Sequence, residues 1–103
     1  MAQIKLKPTV VVPKVVIIAC AVINAANALD LPDMLVTSGN DSAHMAGSRH
    51  YRDQALDFRT HHLTNPQKLA LVDEVIRRLG DAYDVILENI DEPNEHLHVE
   101  YDK

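Results

Sequence analysis

The segment His96-Leu97-His98-Val99-Glu100-Tyr101 alternates strictly between polar and apolar side chains. Successive side chains of a strand point to opposite faces, so such a stretch demands one buried face and one open face. Leu97, Val99 and Tyr101 are expected toward a core, with His96, His98 and Glu100 on the far side. Gln54 to Arg59 alternates in the same way, with Leu56 and Phe58 on one face and Ala55, Asp57 and Arg59 on the other. Two half-buried strands need a sheet covered on one side only, and the rest of the chain supplies the cover. Val10 to Leu29 is an apolar run that predicts a buried helix with Pro13 near its first turn, where the missing N–H does no harm. Pro32 stops it. A second helix is expected from Asn65-Pro66, with Asn65 as the cap. Leu69, Val72, Val75, Ile76 and Leu79 follow at helical spacing, and Gly80 ends it. Met34 to Thr37 and Tyr83 to Leu87 read as further strands. Ser38 to Asp41 and Pro93-Asn94 read as turns, and the polar stretch on to Arg49 as a loop. The expectation is one α+β domain over residues 1–103: a small, mostly antiparallel sheet with two helices packed on one side.

Composition narrows the function classes. The chain has 103 residues, a formal net charge of −5 and 4% aromatic residues. An acidic chain poor in aromatics is not built as a nonspecific nucleic-acid binder or a base-stacking platform. One cysteine excludes an intramolecular disulfide framework, and Cys20 reads as a small buried hydrophobe. Pro13 and Lys14 interrupt the apolar run and Asn24 and Asn27 lie in it, so no membrane span is expected. Lys5 and Lys7 before that run, and Ala25-Ala26-Asn27-Ala28 at its end, leave a secretion signal as the alternative to a core helix.

Six histidines matter by position. His50 precedes Asp57 by seven positions at a loop-to-strand junction, and His98 comes from the C-terminal strand. If those strands are neighbours, two imidazoles and one carboxylate converge. Three N and O ligands leave a fourth zinc position for water, which is the catalytic arrangement. Spacing alone fits equally well a solvated loop histidine, a strand-edge aspartate and a pair of surface histidines. His44 and the His61-His62 pair read as solvated.

Ser48-Arg49-His50-Tyr51-Arg52-Asp53-Gln54-Ala55-Leu56-Asp57 resembles the S-x-H-x-x-G-x-A-x-D signature of zinc D-Ala-D-Ala carboxypeptidases and dipeptidases. L-alanyl-D-glutamate endopeptidases, phage endolysins among them, and the metal-binding domain of hedgehog proteins share that signature. Glu95-His96-Leu97-His98 is similar to the family's second motif, E-x-x-H. The resemblance runs from Val36 to Tyr101, and Val36-Thr37-Ser38-Gly39 resembles the strand and turn ahead of the signature. It implies a Zn²⁺ cofactor held by His50, Asp57 and His98, with Glu95 as general base and Glu92 as its rival. His96 is implied to stabilise the oxyanion or orient water, and Ser48 and Arg49 to touch substrate. The implied activity is hydrolysis of peptidoglycan stem peptides by a monomer, as in a phage lysis enzyme held in the cytoplasm until release. The alternative is a non-catalytic, zinc-stabilised binding module of the same fold. Three positions depart from the family. Asp53 stands for the signature glycine, Asn40 stands near the carboxypeptidases' substrate-binding arginine, and Leu97 replaces a common tryptophan. The missing arginine leaves endopeptidase action open.

Overall fold

The computed structural model describes residues 13–38 and 54–102. Two helices and four strands follow in the order α1 (Lys14–Ala28), β1 (Val36–Ser38), β2 (Ala55–Arg59), α2 (Asn65–Leu79), β3 (Tyr83–Glu88) and β4 (His96–Tyr101). The strands form one antiparallel sheet in the order β1-β2-β4-β3. This is an α+β arrangement. β4 alternates as expected, while in β2 Phe58 is buried, Leu56 is half-buried and Ala55, expected on the open face, is buried; Phe58, Leu97 and Val99 meet Ile18, Val22 and Ala25 of α1 and Leu71 and Val75 of α2. The other sheet face carries the polar residues. No helix among the described residues is long and apolar enough to cross a membrane.

α1 begins directly after Pro13 and buries Ile18, Ala21, Val22, Ala25 and Ala26. Cys20, on the same helix, is exposed rather than buried. α2 differs from expectation in two respects. Its cap is Thr64, not Asn65: the Thr64 hydroxyl accepts from the Gln67 N–H, and Gln67 Oε1 accepts from the Thr64 N–H at 2.8 Å. A threonine followed three residues on by glutamine closes a capping box, which satisfies two helix-end donors at once. The buried face is also rotated, with Leu69 61% and Ile76 47% exposed and Lys68, Leu71 and Val75 buried. α2 carries two overlapping apolar series, and contact with the sheet selects between them. Lys68 enters the buried series because a carboxylate waits there for its ammonium. Gly80 ends the helix at φ 80°, a left-handed conformation that favours glycine.

Candidate metal and proton-transfer site

The β2–β4 register builds the site. Asp57 and His98 are direct cross-strand partners, as are Arg59 and His96, and Ala55 and Glu100. On the other flank of β4, Ile86 lies opposite His98, Glu88 opposite His96 and Asp84 opposite Glu100. The central strand therefore presents His96, His98 and Glu100 on the open face, with acidic neighbours on both sides.

His98 is held at both ring nitrogens. Its Nδ1 lies 2.7 Å from Asp57 Oδ1, and its Nε2 lies 2.8 Å from Glu100 Oε1. Both neighbours are carboxylates, which only accept, so both nitrogens donate and the ring is an imidazolium. The Asp57 hydrogen bond is the main cause that lifts the His98 pKa to about 9; burial opposes it, and Glu100 adds to the rise. His96 is similar. Burial pulls it down, but its Nδ1 donates to the Asn94 carbonyl at 2.8 Å and its Nε2 to Glu88 Oε1 at 3.0 Å, and the net shift is upward. His96 Nε2 is also 3.9 Å from Asp57 Oδ2. An open cavity of about 440 Å³ adjoins this group, with Asp57, Arg59, His61, Asn94, Glu95 and His96 in its walls.

Two of the three residues implied as zinc ligands thus meet, although 41 positions separate them in sequence. Two ligands on one tetrahedral zinc sit ~3.3 Å apart, so an ion held by Asp57 and His98 would require their 2.7 Å contact to open. Glu100 would then hold the outer N–H of the ligand imidazole, the carboxylate–histidine–metal arrangement that fixes ring orientation. Asp57 and His98 supply one oxygen and one nitrogen donor of the kinds zinc takes. His50, Ser48 and Arg49 lie outside the described residues. Ala55 is fully buried.

Glu95 borders the cavity, but its carboxylate oxygens are engaged elsewhere. It continues the Leu97–Val99 series one step beyond the start of β4, and period-2 alternation sends its side chain to the helix side of the sheet. There Oε1 accepts from Lys68 Nζ at 2.7 Å and from the Asp91 N–H at 2.8 Å, and Oε2 accepts from the Thr60 hydroxyl at 2.5 Å. Burial alone would raise its pKa, but the Asp91 N–H, the Lys68 ammonium and the Thr60 hydroxyl outweigh burial and hold it at about 2. A carboxylate so held is a weak base. Glu92, its rival, is exposed on the connection before β4.

Sequence reasoning missed three participants. Glu100 was already on the histidine face by alternation, and only its partnership with His98 was illegible. Glu88 reaches His96 through the β3–β4 register. Lys68 was hidden because a lysine inside an apolar series reads as an exposed interruption. A separate acidic group, Asp84, Glu100 and Asp102, brings carboxylate oxygens within 4.8 Å of one another. A hydrogen bond with Asp102 and mutual repulsion raise the Asp84 pKa. Exposed acidic groups are common without an ion, and this one is no argument for zinc. No family model, no curated protein and no solved structure matches the chain.

Proposed function

We propose that the chain is a zinc-dependent peptidase that hydrolyses peptidoglycan stem peptides, as an L-Ala-D-Glu endopeptidase or a D-Ala-D-Ala carboxypeptidase. One observation carries the reading: Asp57 and His98, the ligand positions of two separate motifs, face each other across adjacent strands beside an open cavity. The substrate class comes from the resemblance of those motifs. Asp57 and His98 would hold the ion, with His50 as the third ligand by resemblance. Zinc, when bound, supplies an acidified water and a polarised carbonyl. Glu100 fixes the His98 ring through its outer nitrogen. His96 borders the cavity, and the oxyanion role that the resemblance gives it would require its Nε2–H to turn from Glu88 to substrate. By resemblance Ser48 and Arg49 are assigned to substrate and Glu95 to the proton of the attacking water, a role that would require Glu95 to leave Lys68 and Thr60.

A second reading, a non-catalytic zinc-stabilised binding module, is favoured by the engagement of both Glu95 oxygens. Incubation of the zinc-loaded protein with purified peptidoglycan, followed by mass analysis of the released ends, separates the two. New N-terminal D-Glu ends indicate endopeptidase action and free D-Ala indicates carboxypeptidase action. Stoichiometric zinc without cleavage establishes the module, and absence of zinc binding removes both readings. Within the zinc reading, Glu100→Gln is expected to weaken zinc binding by ~10–100-fold, the usual effect of losing an outer partner of a ligand histidine. Competition against a chromophoric chelator measures it.

A further inference from the structure

Thr60, Lys68 and Glu95 are the three buried polar or charged residues among the described residues, at 1%, 6% and 3% exposure, and they are bonded to one another. Lys68 Nζ also donates to Asn65 Oδ1 at 3.2 Å. No buried side-chain N or O among the described residues lacks a partner. A buried ion pair gains little net stability, because desolvation offsets its attraction; its best-attested use is to select one arrangement over close competitors.

The competitor here is a shifted strand. β2 and β4 are neighbours without a hairpin between them, since α2 and β3 intervene in sequence. No turn therefore sets their register. Hydrophobic alternation rejects a one-residue slip, which would send every apolar side chain to the open face. It does not reject a two-residue slip, which keeps Leu56 and Phe58 on the core side while moving Asp57 opposite His96 or Glu100. Thr60 and Glu95 occupy the next pairing step after Arg59 and His96, and the Thr60–Glu95 hydrogen bond continues the ladder by side chains. Lys68 clamps that step to the first turn of α2.

We infer that the buried Lys68–Glu95–Thr60 unit is a register pin: Lys68 and Thr60 are positioning residues that hold Glu95 so that Asp57 faces His98. A slipped register would leave the open face populated with the same residues but the ligand pair dispersed. The consequence for metal binding rests on the zinc reading of Asp57 and His98; the register itself does not.

The test is the double variant Lys68→Met/Glu95→Leu, which removes the pair without leaving an orphaned charge. Two readouts are taken: NMR contacts between the backbone protons of Asp57 and His98, and zinc affinity by chelator competition. The pin predicts cooperative unfolding like that of the native chain, weakened Asp57–His98 contacts with new ones from Asp57 to His96 or Glu100, and zinc binding weaker by ~10-fold or more. Thr60→Val, which removes only the hydroxyl, gives the same readouts with the ion pair intact and decides the matter if the double variant does not fold. Thr60→Ser restores the native contacts. Native register and native zinc affinity in the double variant would overturn the pin, and would be the result if Glu95 acted only as a base. Should the native protein bind no zinc, the peptidase reading fails while the NMR contacts still decide the pin.

Discussion

Asp57→Ala is expected to abolish stoichiometric zinc binding and to lower stem-peptide cleavage by about a thousandfold, because a bound metal supplies several kcal/mol of charge stabilisation and ~1.4 kcal/mol is a factor of ten. The physical basis is the short Asp57–His98 contact, which under the zinc proposal would supply two of the ligand atoms. Metal analysis and turnover on purified peptidoglycan measure the loss, and His62→Ala serves as a control with native zinc content. A second readout needs no metal. Asp57 is the main cause that raises the His98 pKa to about 9, so its removal should bring that titration back toward 6.5 in the zinc-free chain. The sign of the pH dependence follows. In the metal-free protein the raised pKa contributes stability that is fully present below about pH 6.5 and lost as pH rises through about 9. Under the zinc proposal the ion would have to displace the Nδ1 proton, so its affinity is expected to rise with pH over the same window. An Asp57→Ala chain that keeps native zinc content sinks the assignment of this pair as ligands.

Lys68→Met alone is expected to destabilise the fold by ~3–5 kcal/mol, since it leaves the Glu95 carboxylate buried without its cation. Small domains have ~5–15 kcal/mol in total, so much of the stability goes with one side chain. Urea unfolding monitored by circular dichroism gives the value. The double variant with Glu95→Leu should recover most of it, because two apolar groups then replace two ions. Acid should reproduce the single-site loss from the other partner. The Glu95 pKa is depressed from 4.5 to about 2, so the stabilisation is present above about pH 4.5 and disappears as pH falls toward 2. A Lys68→Met chain as stable as the native one at neutral pH would show that the pair is dispensable.

The contrast between α2 and β4 shows how far local pattern reaches. In β4 alternation was sufficient: Leu97 and Val99 are buried, and His96, His98 and Glu100 share the open face. In α2 the pattern was ambiguous, because two apolar series overlap and a lysine lies in the one that packs inward. The E-x-x-H spacing placed Glu95 near His98 in sequence, yet an odd offset of three along extended chain turns it to the opposite face, where Lys68 and Thr60 hold it.

Period and punctuation alone determined the two helices, the strands and the division of β2 and β4 into a core side and a polar side. Those properties depend on neighbours a few residues away, and burial enforces them locally. Strand order and register were decided by tertiary structure, because alternation is unchanged when a strand moves by two residues or takes a different neighbour. The meeting of Asp57 with His98, the reach of Glu88 and Glu100 to the histidines, and the burial of Lys68 all depend on those long-range choices.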